Sequence, residues 1–221
     1  MKKWLSENRH ALWALCFPLY LVCFFLTEKL VPEGSQVWDP TIPADYDIPF
    51  VPQFIIFYCA WYVGLFAVGL WLMFKDGRGF RRFMIFIFST FMLSLIFCLL
   101  VPNGIELREP ITGTDIFSRA VVLLRQIDTP TNVFPSMHVI GSVGIVLGVF
   151  YTDTIKSAWL KAASVIVAVG ICASTVFLRQ HALLDIAGGL AFALAGWVFV
   201  YLLPDLRAKR KNTSEKSLKS E

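Results

Sequence analysis

The sequence predicts an all-α, polytopic membrane protein with six transmembrane helices. Three observations carry that reading. Of 221 residues, 57% are hydrophobic and only 16% are charged, which leaves too little polar surface for a water-soluble domain of this size. The apolar residues gather in six runs, each near the ~20 residues that cross a bilayer as a helix. Lysine and arginine are sorted between alternate loops, fifteen on one side and five on the other.

The six predicted spans are 11–31, 51–74, 83–101, 133–151, 157–178 and 185–203. The first follows "MKK" and could pass for a signal peptide. Its apolar stretch is long and lacks a small-x-small cleavage site, so it is read as a retained span. The fifteen basic residues are Lys2, Lys3, Arg9, Lys75, Arg78, Arg81, Arg82, Lys156, Lys161 and the tail's Arg207, Lys209, Arg210, Lys211, Lys216 and Lys219. The other five are Lys29, Arg108, Arg119, Arg125 and Arg179. Basic loops stay in the cytoplasm. Both termini are therefore placed inside, loops one, three and five outside, and the chain in the plasma (inner) membrane as a multi-pass protein. The same sorting accounts for the net charge of +4, so no nucleic-acid partner is needed.

The loops differ in character. The first outer loop is acidic and proline-rich, and its Trp38, Tyr46 and Phe50 suit a membrane interface. In the third, "DIFSRAVVLLRQID" places Ile116, Phe117, Ala120, Val121, Leu124 and Ile127 on one helical face, which predicts a short helix lying in the outer interface. The domain reading is a membrane catalytic domain over 1–204 and a basic, disordered cytoplasmic tail over 205–221. Cys16, Cys23, Cys59, Cys98 and Cys172 all sit in apolar runs without a C-x-x-C pair and read as small buried hydrophobes.

The outer side collects the polar chemistry. His181 precedes Asp185 by four residues, so on a helix the two side chains would share a face. A carboxylate on one ring nitrogen fixes the tautomer and leaves the other nitrogen free to attack. A His–Asp pair that pins two spans together fits the same residues. In "NVFPSMHV", Pro135 suits the first turn of a helix. That puts the backbone N–H groups of Ser136, Met137 and His138 at a helix mouth that favours an anion. A plainly capped start, with Asn132 or Ser136 as the cap, fits as well. Arg108 and Arg179 carry forks that match phosphate oxygens, or pair with Glu106, Glu109 or Asp128. Together these residues suit phosphoryl transfer. The helix mouth suits an anion better than a metal, and neither a metal nor another cofactor is expected.

These residues resemble the type 2 phosphatidic acid phosphatase superfamily, whose motifs are Lys-x6-Arg-Pro, Pro-Ser-Gly-His and Ser-Arg-x5-His-x3-Asp. The second reads Pro135-Ser136-Met137-His138 here. The third reads Ser174-Thr175, five residues, His181, three residues, Asp185. The motif arginine is replaced by Thr175, and the first motif is reduced to Arg108-Glu109-Pro110 with Val101 at the lysine position. The altered third motif is similar to the inositol phosphorylceramide synthase and sphingomyelin synthase branch. The resemblance implies six spans and a lipid phosphatase, with a membrane lipid in the surrounding bilayer as substrate and the active site on the extracytoplasmic side. The branch likeness implies transfer to an alcohol. By the same resemblance His181 is the nucleophile, Asp185 orients it and His138 protonates the leaving group. Ser136, Arg108 and Arg179 hold the phosphate, with Asn132, Ser174 and Thr175 as auxiliary polar residues. A non-catalytic anion-binding membrane protein is the third reading.

Overall fold

A computed structural model describes residues 8–30 and 37–218, the last five of them by backbone alone. Lys2, Lys3 and the start of the first outer loop lie outside the described residues. Regular structure among the described residues is helical, apart from isolated bridges between Trp38 and Asn103 and between Gly104 and Thr131. A 3-10 turn, Arg9–Leu15, leads into α1 (Cys16–Leu30). Then come α2 (Ile55–Lys75), α3 (Gly77–Leu100), α4 (Ile116–Ile127), α5 (Met137–Phe150), α6 (Ala158–Phe177), α7 (Leu183–Trp197) and α8 (Leu203–Leu218). Among the described residues, five stretches are long and apolar enough to cross a membrane: Arg9–Leu30, Pro52–Lys75, Gly77–Leu100, Ala158–Phe177 and Leu183–Thr213. Met137–Phe150 is apolar but shorter.

Three boundaries differ from the sequence reading, each for a local reason. Helix α3 starts at Gly77, ahead of the expected 83, because Asp76 caps it by accepting the Gly79 N–H at 2.9 Å. Helix α5 starts at Met137, behind the expected 133, and Pro135 lies before the helix instead of in its first turn. Asn103 holds the preceding segment in a non-helical course. It accepts the N–H of Asn132 on its backbone carbonyl and that of Phe134 on its side chain, both at 2.8 Å, and donates to the Phe134 carbonyl at 3.2 Å. At the other end of the chain, where disorder was expected from 205, the backbone is helical to Leu218. A π-turn, Val198–Leu202, joins α7 to α8. Pro204 has no N–H for the preceding turn. Arg82 reaches the carbonyls of Val200 (3.4 Å) and Tyr201 (3.0 Å) instead, and pairs with Asp205 at 3.0 Å.

Helix α5 is the hub. It contacts α2, α3, α6 and α7, and its Val139, Ile140, Ile145 and Val149 are buried. In lipid, helix association rests on close packing more than on a hydrophobic drive. Gly141 shows this, since a Cβ there would sit 2.4 Å from Trp61 Nε1. The outward faces carry Val63, Phe66, Leu100, Val169 and Phe199, which suit hydrocarbon and not water. Helix α4 splits its apolar residues. Phe117, Ala120, Val121 and Leu124 pack on Ile55, Tyr58 and Leu178, whereas Ile116 and Ile127 are 76% and 82% exposed. The single apolar face expected from periodicity is thus two faces.

The connections that follow α1, α3 and α6 meet at one end of the bundle. Trp38 bonds backbone to backbone with Pro102 and Gly104, and Val51 donates to the Phe177 carbonyl at 2.9 Å. Asp45, in the single helical turn Pro43–Tyr46, accepts the Leu183 N–H at 2.8 Å and so caps α7 from a distant segment. At the opposite end His10 contacts the Met73 carbonyl at 2.8 Å. It borders a surface hollow lined by Lys75, Asp76, Arg78 and Arg81, away from the other two histidines.

Candidate active site

His181 lies in the link between α6 and α7, not inside a helix. Helix α6 ends in a Schellman motif: the N–H of Arg179 bonds to the Val176 carbonyl, and that of Gln180 to the Thr175 carbonyl, both at 2.9 Å. The His181 N–H shares the Thr175 carbonyl at 3.1 Å. Arg179 takes the left-handed position of the motif, with φ 54°, where glycine is the usual residue. Ala182 then caps α7, and Asp185 is the third residue of its first turn.

Asp185 is fully buried. Its Oδ2 accepts from Ala182 N–H at 2.9 Å and sits 3.2 Å from His181 Nδ1. The contact therefore comes from helix capping, not from two residues on one helical face. It fixes the proton on Nδ1 and leaves Nε2 without a partner among the described residues. Asp185 also presents its backbone carbonyl to Ser136 N–H at 3.1 Å, which locks the start of α7 to the start of α5. This contact takes one N–H from the expected anion mouth. Those of the first helical turn, Met137 to Val139, lack intrahelical acceptors by geometry. Gly189 makes the approach feasible, since a Cβ there would meet the Ser136 carbonyl oxygen at 2.7 Å.

His138 is clamped among aromatics. Its ring centroid is 4.2 Å from that of Tyr58, 4.5 Å from Trp61 and 5.6 Å from His181. Nδ1 lies 3.5 Å from the Tyr58 hydroxyl, which donates a short hydrogen bond to Asp128 Oδ2. His138 Nε2 and Ser136 Oγ are buried without partners. Buried polar atoms of this kind are rare, and they ask for an explanation such as a ligand.

Arg108 donates to the carbonyls of Asp128 (2.5 Å) and Thr129 (3.0 Å). Arg179 pairs with Glu109 at 2.7 Å and reaches the Ile48 carbonyl at 3.3 Å. Between them stands Arg125, which the sequence reading did not single out. It comes from α4 and donates to the carbonyls of Glu109 (2.7 Å) and Leu178 (3.3 Å). Burial, and then the positive charges of Arg108 and Arg179, bring its pKa down to about 10, so it stays cationic near neutral pH. Burial also lowers the pKa of Arg108, against the pull of Asp128. All three arginines carry a buried Nε without a partner.

The auxiliary residues are engaged elsewhere. The Ser174 hydroxyl donates to the Ile171 carbonyl at 2.6 Å and that of Thr175 to the Cys172 carbonyl at 2.7 Å, so both face back into α6. Asn132, at φ 55°, is bonded through its amide nitrogen to Glu28 of α1. Glu28 also accepts from Thr129 at 2.7 Å. Tyr58, Asp128 and Glu28 were not legible as site residues. Tyr58 is one aromatic among many in an apolar run, and Asp128 and Glu28 are ordinary loop and helix-end carboxylates in sequence. Among the described residues no group of three or more His, Cys, Asp or Glu side chains could hold a metal ion.

Residues 51–199 match the family model described as the PAP2 superfamily. The matched stretch is well over half of the chain and contains both histidines, Asp185 and the three arginines. No curated protein matches the chain.

Proposed function

The chain belongs to the PAP2 superfamily, and from that premise we propose that it is an integral-membrane phosphatase acting on lipid phosphates or pyrophosphates at the outer leaflet. The observation that carries this reading is the pairing of His138 and His181 at 5.6 Å, with Asp185 on His181 Nδ1.

In the proposed cycle, His181 Nε2 attacks phosphorus while the bond to the leaving oxygen breaks. His138 gives that oxygen its Nε2 proton. Asp185 stabilises the cationic phosphohistidine. Water then attacks phosphorus and returns a proton to His138 as the His181–phosphorus bond breaks. Ser136, Arg108 and Arg179 hold the phosphate oxygens, and Arg125 joins them as a third guanidinium. Three partly buried arginines against the exposed Glu109 and the carboxylate of Asp128 leave an excess of positive charge, which suits a phosphate dianion.

The membrane reading follows from the same elements. Helix α5 makes a sixth, short span, so both termini share the cytoplasmic side with the basic tail. Fourteen residues at about 1.5 Å each reach roughly 21 Å, against a hydrocarbon core of about 30 Å. The mouth of α5 is therefore recessed below the outer surface, at a depth that suits a lipid headgroup. The exposed Ile116 and Ile127 of α4 enter the outer interface beside it.

The replacement at Thr175 favours a second reading, in which an alcohol such as inositol takes the place of water. The first half-reaction is the same, so only products separate the two. Purified protein is incubated with a panel of lipid phosphates, with and without inositol, and free phosphate and new phosphodiesters are followed. Phosphate release that vanishes in His181→Ala supports the hydrolase, and a phosphodiester supports the transferase. A His181→Ala variant with near-normal turnover would remove His181 as nucleophile.

A further inference from the structure

Asp185 supports one histidine of the pair directly. The other histidine has a carboxylate behind it too, one residue removed. The Tyr58 hydroxyl donates to Asp128 Oδ2 and lies 3.5 Å from His138 Nδ1. That second distance is at the outer limit of a hydrogen bond, and catalytic contacts often tighten only with substrate bound. Since the single hydroxyl proton is committed to Asp128, the phenolic oxygen is left to accept, and the donor it faces is a protonated Nδ1.

Several features hold this chain of groups in place. Tyr58 is fully buried, and its ring lies at 35° to that of His138. Arg108, the nearest cation, spends two donors on the backbone carbonyls of Asp128 and Thr129. The Asp128 carboxylate is thus left for Tyr58. Glu28 fixes the same loop from α1 through Thr129 and Asn132. A link that only tied α2 to this loop would not need its hydroxyl beside an imidazole nitrogen.

We propose that Asp128, acting through Tyr58, is the counter-charge of His138: the chain Asp128–Tyr58–His138 keeps a proton on Nδ1, presents Nε2 to the leaving oxygen and stabilises the imidazolium before it gives up its proton. Tyr58 and Asp128 are positioning residues. The catalytic role of His138 rests on the proposed function, but the hydrogen-bonded chain itself does not.

Two measurements test it. The first is nitrogen NMR of 15N-histidine-labelled full-length protein in detergent, where the chain has three histidines and His→Gln variants assign them. The expected result is a His138 protonated on Nδ1, with that resonance moved by both Tyr58→Phe and Asp128→Asn. A neutral His138 protonated on Nε2 and indifferent to both changes overturns the chain. The second compares phosphate monoesters of alkyl and activated aryl alcohols, since an activated aryl oxide leaves without a proton. Tyr58→Phe and Asp128→Asn are expected to lower kcat roughly 10- to 100-fold on the alkyl ester, less than the whole worth of an acid catalyst. KM should change little, the aryl ester should lose less than about 3-fold, and Asp128→Glu should recover part of the loss. Equal losses on both esters overturn the role. If the wild type transfers phosphoryl groups to neither water nor alcohol, the proposed function fails and the NMR result alone decides for or against the chain.

Discussion

Asp185 uses one carboxylate oxygen twice, for the Ala182 N–H at 2.9 Å and for His181 Nδ1 at 3.2 Å. The residue that starts α7 is therefore also the one that orients the histidine, and neither function can be altered without considering the other. Asparagine separates the shape of this carboxylate from its charge. Its oxygen still accepts the Ala182 N–H, so the cap survives. The same oxygen still accepts from Nδ1–H while the NH2 group takes the Oδ1 place, so what His181 loses is the negative charge that stabilises its cation.

Asp185→Asn is thus expected to fold with a Tm within a few degrees of wild type while activity falls by roughly 10- to 100-fold, the order of one charge-assisted hydrogen bond. Activity assays and thermal unfolding in one detergent check both halves. A fully active Asp185→Asn enzyme would show that His181 does not depend on this carboxylate.

Arg179 occupies the left-handed position of the Schellman motif at φ 54°, which costs a non-glycine residue about 1–2 kcal/mol. Its ion pair with the largely exposed Glu109 returns at most about 1 kcal/mol. Stability therefore does not explain the arginine, and strain of this kind points to function. Arg179→Gly is expected to hold or raise Tm while turnover drops at least about 10-fold. A lower Tm with unchanged turnover would make Arg179 a structural anchor only.

Arg125 should be read through anion binding. One charged hydrogen bond is worth about 1.5–3 kcal/mol, so Arg125→Gln is expected to weaken vanadate inhibition by roughly 10- to 100-fold. A pH signature accompanies this. The pKa of Arg125 is lowered to about 10, so the wild type binds through a cation below that pH and loses it as pH rises through it. The variant should lack that step. Identical vanadate profiles for the two proteins would take Arg125 out of the cradle.

What the sequence disclosed follows from which interactions are periodic. The apolar runs announced the helices because burial in lipid is set by composition along one element. His181 and Asp185 were legible because they are near neighbours in the chain. Asp128 meets Tyr58 only because Asn103 and Glu28 shape the segment ahead of α5, and no spacing in the sequence encodes such a contact. Helix α5 starts later than its apolar pattern predicts for the same reason. Helical periodicity continues into 133–136, but the Asn103 side chain and the Asp185 backbone carbonyl take those backbone groups first. Arg125 was visible only as a charge on an amphipathic helix, since its neighbours Arg108 and Arg179 arrive from two other segments.

Thr175 stands where the family motif has arginine, and the structure shows how that position is used here. The residue is fully buried, its hydroxyl turns back to the Cys172 carbonyl, and its own carbonyl takes the N–H groups of both Gln180 and His181. Restoring the arginine would push a long cation into a packed helix end that sets the place of His181. Overpacking alone costs about 1–3 kcal/mol, and an unpaired buried charge adds to it. Arg125 and Arg179 already bring positive charge to this end of α6, so an added cation also meets repulsion. Thr175→Arg is therefore expected to lower Tm and to reduce turnover, measured on the same substrate panel. A variant both as stable as wild type and more active would mean that the site lacks the cation that Arg125 is argued to supply.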